Sequence, residues 1–233
     1  MKLSICVIYE EGTNLVKWRE ALPSSDAYSI EIVALKTSVN SSIEAPSESV
    51  IGKTDTLIGL SLEYPSYFEY FDFSECRNIL DKHATGDWIL HVDSDEFLAN
   101  RHDDFWSYIE ALNKSDADAA WVSIAGISYE GNGDKAYAKR YNIPNLRLHR
   151  KSAEIKWAGV CHETLDTKDR EIIIGDTEIL FHHAGYAIER EDMIKKCTRN
   201  AKLMVREYAR ENSERNWKYL VNTFSLIKKL QEE

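Results

Sequence analysis

Three acidic side chains, Asp93, Asp95 and Glu96, directly follow the apolar run WILHV of residues 88–92. Carboxylate oxygens are hard ligands that suit Mg²⁺ or Mn²⁺, and these ions keep water and substrate phosphates in their remaining positions. Three crowded acids also repel one another unless a positive charge lies among them. A divalent cation bound to a diphosphate would remove that repulsion. A solvated acidic turn explains the same spacing, so the D-x-D pattern alone leaves both interpretations open.

The elements that position these acids are predicted from hydrophobic patterning. Short β-branched runs predict strands over 3–8, 28–35, 88–92 and 119–129, and helical composition or periodicity predicts helices over 14–22, 74–85 and 103–113, with Ser74 as an N-cap. Alternating strands and helices favour a Rossmann-like, mostly parallel sheet flanked by helices. Ligands bind beyond the carboxyl ends of such strands, and Asp93 lies at one of these ends.

The pattern changes after Pro144. Short strands are predicted over 146–150, 155–161, 171–174 and 178–182, and a helical tail from about residue 188. We therefore expect a catalytic domain over residues 1–187 and a C-terminal helical extension over 188–233. The apolar faces of the tail are Ile194, Cys197, Ala201, Met204 and Tyr208, then Trp217, Leu220, Phe224 and Ile227. These faces either pack on the domain or form a homodimer contact.

Composition narrows the functional classes. The 29 Lys and Arg against 39 Asp and Glu give a net charge of −10, which argues against a broad nucleic-acid or anionic-membrane surface. The four cysteines form no C-x-x-C pair, so neither a disulfide framework nor a structural zinc site is predicted. No run is long enough for a signal peptide or a membrane span. We expect a cytoplasmic protein that reaches any membrane-bound acceptor through a peripheral contact.

Several ordered blocks resemble family 2 glycosyltransferases of the GT-A fold. FSECRN at 73–78 and ATGDWIL at 84–90 lead into the D-x-D-E turn, and GVCHE at 159–163 and HAGY at 183–186 follow. The resemblance covers roughly residues 1–210, and the ordered set is far more specific than any one block. It implies a nucleotide-sugar donor, an acceptor with a free hydroxyl, and Mn²⁺ or Mg²⁺ as cofactor.

Carried over by position, the resemblance implies roles for individual residues. The metal ligands are Asp93, Asp95 and His183, and the catalytic candidates are Glu163 and His162. The expected donor site consists of Ile8, Tyr9, Glu11, Lys36, Arg77, Asp93 and Ser94. The family commonly ends its second strand with an Asp that binds the base, whereas this chain has Lys36 nearby. The base therefore stays open, with a UDP-sugar as the expected donor.

Each of these residues also has a purely structural interpretation. Arg77 can pair with Glu75 or Asp81 on a helix surface, and His183 can be a hydrogen-bonded core histidine. In an extended segment His162 and Glu163 point to opposite sides, so only one of them faces the cleft. A carboxylate there can act as general base with inversion at the sugar, or can form a structural salt bridge. The aromatic residues of segment 64–71 are either core or an acceptor platform.

Two further functions remain beside transfer to a saccharide, such as a surface polysaccharide. The same donor chemistry can act on a protein or a modified nucleic-acid base, although the acidic balance weighs against nucleic acid. Alternatively, the chain is a non-catalytic nucleotide-sugar-binding module.

Overall fold

The computed structural model describes residues 1–10, 13, 15–23, 27–37, 56–59, 72–130, 137–168, 172–173, 179–183 and 190–232. Among these residues it contains eleven strands and five α-helices. The strands are β1 Lys2–Glu10, β2 Ser29–Thr37, β3 Thr56–Gly59, β4 Trp88–His91, β5 Glu96–Leu98, β6 Ala119–Glu130, β7 Tyr137–Arg150, β8 Trp157–Ala158, β9 Thr164–Leu165, β10 Ile172–Ile173 and β11 Leu180–His183. The helices are α1 Leu15–Glu20, α2 Phe73–His83, α3 His102–Asn113, α4 Arg190–Arg210 and α5 Glu214–Glu232.

The central sheet has the strand order β3-β2-β1-β4-β7-β6-β11-β5, with β10 beside β6. Strands β3, β2, β1 and β4 run parallel to one another, and β11 and β10 run parallel to β6. Antiparallel pairing occurs at β4/β7, β7/β6 and β11/β5. The prediction of an α/β fold with a mostly parallel central sheet, flanking helices and C-terminal helices is confirmed.

Side chains alternate across the sheet and build two apolar layers. On β1, Leu3, Ile5 and Val7 pack with α1 and α3, whereas Cys6 packs with α2 on the opposite face. Strands β2 and β4 repeat this alternation. A strand that is buried on both faces reads as a continuous apolar run, which is why the sequence of β4 shows no alternation.

The structure corrects several sequence-based boundaries. The N-cap of α2 is Asp72 rather than Ser74, because Asp72 Oδ1 accepts the backbone N–H groups of Ser74 at 3.0 Å and Glu75 at 3.2 Å. Strand β7 runs through Pro144 instead of starting after it. The predicted strand over 155–161 shrinks to Trp157–Ala158. Strands β3, β5 and β9 were not predicted, and the aromatic segment 64–71 lies outside the described residues.

The C-terminal tail consists of two helices, α4 and α5, in agreement with the predicted C-terminal helices. The Arg190 side chain donates to the Leu230 carbonyl at 2.6 Å, so α4 and α5 run antiparallel. Leu203, Met204 and Leu220 pack on Val160 and Cys161. The predicted apolar face of α5 is only partly right, because Leu220 is buried while Trp217 and Phe224 are half exposed. Among the described residues, no helix has both the length and the apolar character needed to cross a membrane.

The start of β4, the strand that leads to Asp93, is fixed by the buried Glu31. Glu31 Oε1 accepts the Ser4 hydroxyl at 2.6 Å and the Thr85 backbone N–H at 2.5 Å, and Lys2 pairs with Oε2. The Ser4 hydroxyl in turn accepts the Gly86 N–H at 2.7 Å. A Cβ on residue 86 would lie 2.5 Å from the Ser4 nitrogen, so this close approach requires glycine.

We predict that Glu31→Gln destabilises the fold in a pH-dependent way. Burial opposes ionisation of Glu31, but its bonds to Lys2, Ser4 and Thr85 lower its pKa from 4.5 to about 2. The carboxylate therefore contributes stability that is fully present above pH 4.5 and is lost as the pH falls through about 2. From these two pKa values the contribution is at most about 3 kcal/mol.

Urea unfolding at several pH values measures the effect. Near neutral pH the variant should lose roughly 1–3 kcal/mol, and the difference from wild type should shrink below pH 4.5. The exposed Glu110→Gln on α3 is the control and should change stability by less than about 0.5 kcal/mol. A Glu31→Gln difference that does not vary with pH contradicts the prediction.

Candidate functional site

Asp93 lies at the carboxyl ends of the parallel strands β1 and β4, and its carboxylate is held between two arginines. Oδ1 accepts Arg77 Nη2 at 3.0 Å, and Oδ2 accepts Arg147 Nη2 at 2.9 Å. The Arg77 side chain is 3% exposed and the Arg147 side chain 15%, whereas that of Asp93 is 36% exposed. Although burial opposes ionisation, the two guanidinium groups hold the pKa of Asp93 well below its ordinary value. Asp93 is therefore an ionised carboxylate that is fixed in direction and open to solvent.

Arg147 links Asp93 to Glu96. Its Nη1 donates to Glu96 Oε2 at 2.7 Å, and the same oxygen accepts the Asp93 backbone N–H at 2.9 Å. The Glu96 nitrogen donates to the Asp93 carbonyl at 3.0 Å, which closes the acidic turn. Burial of Glu96, together with the negative charges of Asp93 and Asp95, raises the pKa of Glu96 to about 7 against the opposing effect of Arg147. Glu96 is thus a buried acid that holds the turn together through its bonds to Arg147 and to the Asp93 backbone.

Arg147 was not predicted as a site residue. The signal available in the sequence is an arginine between Leu146 and Leu148 inside an apolar strand, since a charged side chain there needs a buried partner. Its partner is not visible in the sequence, because Arg147 lies 54 positions after Asp93 and reaches it through the antiparallel pairing of β7 with β4.

Arg77 lies at the site, and its interpretation as a surface residue is wrong. Its Nε donates to Glu163 Oε1 at 2.6 Å, and its guanidinium lies 4.8 Å above the Trp157 ring. Burial disfavours the charged guanidinium, but Glu163 and Asp93 raise its pKa. The neighbouring Asn78 exchanges two hydrogen bonds with the Trp157 backbone, at 3.0 and 2.9 Å. These bonds tie α2 to β8 and fix the position of Arg77 along the helix.

Glu163 reaches Arg77 because the preceding loop is turned rather than extended. Gly159 has a φ of +99°. His162 has a φ of +60°, which is uncommon for a residue with a side chain. Glu207 on α4 accepts the Cys161 N–H at 3.1 Å and supports this loop. The premise of an extended segment was therefore wrong.

The side chains of His162 and Glu163 nevertheless have different surroundings. The His162 ring stacks on Tyr219 of α5 at 4.2 Å between centroids, and its carbonyl accepts Arg215. Glu163, which is 11% exposed, faces the arginine pair instead. The structure places Glu163 on Arg77, the arginine that also binds Asp93. The described contacts of His162 are with Tyr219 and Arg215 of α5. The catalytic role of each stays a prediction.

Strand β5 continues the acidic turn and brings His183 to Asp95. Antiparallel pairing of β5 with β11 places His183 opposite Glu96. His183 Nε2 lies 3.2 Å from Asp95 Oδ2, and Lys196 Nζ of α4 lies 3.8 Å from the same oxygen. Burial disfavours the charged imidazole, but the hydrogen bond to Asp95 and the negative charges of the acidic turn together outweigh it and raise the pKa of His183. His182 is exposed, as expected for the opposite side of the strand.

The predicted nucleoside residues lie at the same edge of the sheet. Tyr9 and Lys36 are register partners at the ends of β1 and β2. Tyr9 is 5% exposed, and burial raises its pKa, so its ring forms part of the core. Ile8 and Lys36 are partly buried, as is Ser94 beside Asp93. Glu11 lies outside the described residues.

The charge balance changes the argument for a metal. Arg77 and Arg147 already neutralise the crowded acids, so repulsion alone does not demand a cation. Asp93 and Asp95 still offer hard oxygens on side chains that are each about one-third exposed, but within the described residues the ligand atoms of Asp93, Asp95 and His183 are not all within 4.8 Å of one another. Mn²⁺ or Mg²⁺ as cofactor stays a prediction.

No protein-family model and no curated protein matches the sequence. Among solved structures, the chain is similar to S. aureus TarS, with 13% identity over 88% of this chain and 40% of TarS at a TM-score of 0.49. A structure of TarS 1–349 in complex with UDP-GlcNAc is 12% identical, and the match covers 88% of this chain and 67% of the TarS 1–349 chain at a TM-score of 0.47. The structure of CMP:2-keto-3-deoxy-manno-octonic acid synthetase complexed with CTP is 11% identical in sequence. The match covers 66% of this chain and 76% of the synthetase chain, at a TM-score of 0.39. This chain thus spans about 40% of full TarS, and TM-scores below 0.5 leave its function to be argued from its own residues.

Proposed function

We propose that this chain is a GT-A-type glycosyltransferase that moves a sugar from a nucleotide-diphosphate sugar, with UDP as the expected nucleotide, to an acceptor hydroxyl. The observation that carries the proposal is the solvent-open Asp93 carboxylate, held by Arg77 and Arg147 at the carboxyl ends of β1 and β4. Asp95, two residues further along the turn, pairs with His183. Open α/β sheets bind ligands at this edge, and the ordered sequence blocks of the resemblance converge there.

Donor binding follows from the charges at this edge. Asp93, Asp95 and His183 are the residues that would hold Mn²⁺ or Mg²⁺, and the bound ion would stabilise the negative charge of the departing diphosphate. Arg77 and Arg147 fix the direction of the Asp93 oxygens and add positive potential beside the phosphates. Ile8, Tyr9 and Lys36 at the ends of β1 and β2 would form the nucleoside side of the site.

Acceptor activation is assigned to Glu163. Arg77 Nε binds Oε1 and so orients the carboxylate, which leaves Oε2 as the atom that takes the acceptor proton. The acceptor oxygen then bonds to the anomeric carbon as the bond to the diphosphate oxygen breaks. A single displacement of this kind inverts the anomeric centre.

The acceptor class rests on the resemblance alone. We propose a saccharide hydroxyl in surface polysaccharide assembly, with the chain working in the cytoplasm at the inner membrane face. A second candidate is a nucleotide-sugar-binding module without turnover. It is favoured by the 2.6 Å ion pair between Glu163 and Arg77, because that bond is also what a purely structural glutamate would make.

The first prediction from this function concerns donor binding. Titration calorimetry with a panel of nucleoside diphosphates and nucleotide sugars should show one nucleotide class that binds only with Mn²⁺. Asp95→Ala should weaken this binding by at least about tenfold, or 1.4 kcal/mol, because it removes a hard oxygen ligand. The control is Asp103→Ala, whose side chain is 90% exposed on α3 and which should bind as wild type does.

Two outcomes would contradict the donor site. One is a folded wild type that binds no member of the panel. The other is an Asp95→Ala variant that keeps wild-type affinity and metal dependence.

The second prediction separates turnover from binding. With the donor identified by titration, Glu163→Gln should lower nucleoside diphosphate release about 100-fold or more, since the amide cannot accept the proton. Donor affinity should stay within about threefold, because the glutamine carbonyl still accepts from Arg77. Exposed Glu214→Gln on α5 is the matched control.

The ratio of the two effects decides the role of Glu163. If affinity falls as steeply as turnover, Glu163 acts by holding Arg77 and not as the base. If wild type binds the donor but releases no product with any acceptor tested, the binding module is the better description.

A further inference from the structure

A second group of polar side chains is buried beneath α2, on the face of the sheet away from α1 and α3. Cys6 of β1, Asp81 of α2 and His91 of β4 each direct one ligand-type atom to a common point, and these atoms all lie within 4.8 Å of one another. Cys6 and His91 are direct neighbours on parallel strands. The three residues are 0%, 6% and 1% exposed. Three separate elements thus converge on one enclosed point.

The fourth polar residue is His149 on β7, which is 2% exposed. Its Nε2 lies 3.4 Å from Asp81 Oδ2, without hydrogen-bond geometry. Within the described part of the chain, neither ring nitrogen of His149 has a hydrogen-bond partner, and the same is true of His91 Nδ1 and Asp81 Oδ2. A buried polar atom without a partner costs about 1–3 kcal/mol. Two of these atoms, one His149 nitrogen and Asp81 Oδ2, are available to a single bound ion, because each imidazole ring offers an ion only one nitrogen.

These polar side chains lie in apolar surroundings. They are enclosed by the apolar layer of Val33, Leu35, Ile79, Leu80 and Ile89. The Asp81–His91 hydrogen bond of 2.7 Å is the one strong bond within the group. Burial opposes the charged carboxylate, but the two histidines hold the pKa of Asp81 well below its ordinary value, so an anion lies inside this layer.

We propose that Cys6, Asp81, His91 and His149 form a tetrahedral zinc site that is separate from the donor metal. A thiolate, a carboxylate and imidazoles are the ligands that Zn²⁺ prefers. Bond lengths of 2.0–2.3 Å place ligand atoms about 3.3–3.8 Å apart, so shifts of roughly 1 Å close Cys6, Asp81 and His91 around an ion. His149 lies outside that 4.8 Å group and would turn its ring toward the ion to complete the tetrahedron.

The binding step is balanced without a redox partner. Zn²⁺ takes the place of the proton in the Asp81–His91 hydrogen bond: that proton moves from His91 Nε2 to Nδ1, the Cys6 thiol loses its proton to solvent, and an S–Zn bond forms, so one proton is released in all. The thiolate and the carboxylate together neutralise the ion. Burial and the nearby Asp81 charge raise the pKa of the Cys6 thiol, and a bound cation is what would stabilise its thiolate.

The site would secure the part of α2 that carries Arg77. Asp81 lies one helical turn after Arg77, on the same face of the helix. The His91 and Trp157 rings form a T-shaped pair with centroids 4.8 Å apart, and the Arg77 guanidinium lies over the same Trp157 ring. Zinc at this point would join β1, α2 and β4 directly behind the arginine that orients Asp93.

The test uses the full chain, expressed with zinc in the medium and measured by metal analysis. We expect about one zinc per chain. After refolding with Co²⁺, wild type should show the visible bands of a tetrahedral ion together with a near-ultraviolet thiolate-to-cobalt charge-transfer band. Cys6→Ser should lose that band and weaken metal binding by at least about tenfold. Cys76→Ser, which changes another fully buried cysteine of the same layer, should keep both.

Asp95→Ala separates this site from the donor site, because it should keep the zinc and the cobalt spectrum. The proposal is overturned if wild type contains no zinc and takes up no cobalt, or if its cobalt spectrum lacks the thiolate band. It is also overturned if Asp95→Ala abolishes the spectrum. Should Cys6→Ser fail to fold, the wild-type spectrum alone decides.

Discussion

The two ion pairs of Asp93 with Arg77 and Arg147 set the arrangement of the elements around the candidate site. Each arginine comes from a different element, α2 or β7, and both are largely removed from water. Charges in that position need excellent geometry, and removing one partner of such a pair costs about 3–5 kcal/mol. The helix, the antiparallel strand and the acidic turn are therefore held to one another by charge as well as by apolar packing. Each arginine also has a second carboxylate partner, which is Glu163 for Arg77 and Glu96 for Arg147.

The surrounding structure keeps this group in place. Asn78 ties α2 to β8, Glu207 of α4 supports the loop that ends in Glu163, and Glu31 fixes the start of β4. Arg210 of α4 also pairs with Asp72, the N-cap of α2, at 3.2 Å. The C-terminal helices thus contact the site through the loop and through α2. Asp95 of the acidic turn also pairs with Lys196 of α4, at 3.8 Å.

Much of the fold could be predicted from the sequence, because β1, β2 and β4 of the parallel half are short apolar runs and the helices beside them have helical composition or periodicity. Strand β3 of the same half was not predicted. The edge of the sheet that carries Asp93, Tyr9 and Lys36 followed from that order. Strand β5 was missed because three residues are too few to show a pattern. The half-exposed Trp217 and Phe224 were misassigned, since periodicity shows that a helix has an apolar face but not what covers it.

The chemistry at long sequence separation could not be predicted. Arg147 and Asp81 pair with residues on other elements, and such pairs depend on the register of strands rather than on local spacing. The sequence also led to the expectation that a cation would relieve crowded acids, whereas two arginines do so. Cysteine spacing likewise gave no sign of a metal site, because Cys6, Asp81 and His91 meet only through the tertiary fold.

The most direct test of the account is the position of a bound metal and nucleotide in crystals grown with Mn²⁺ and a nucleoside diphosphate. Anomalous difference maps at the manganese edge should show an ion about 2.0–2.2 Å from an Asp95 carboxylate oxygen. The diphosphate should lie on that ion, beyond the carboxyl ends of β1 and β4 and within reach of Arg77 and Arg147. A nucleotide bound at another surface, with no manganese near Asp93 and Asp95, would contradict the account.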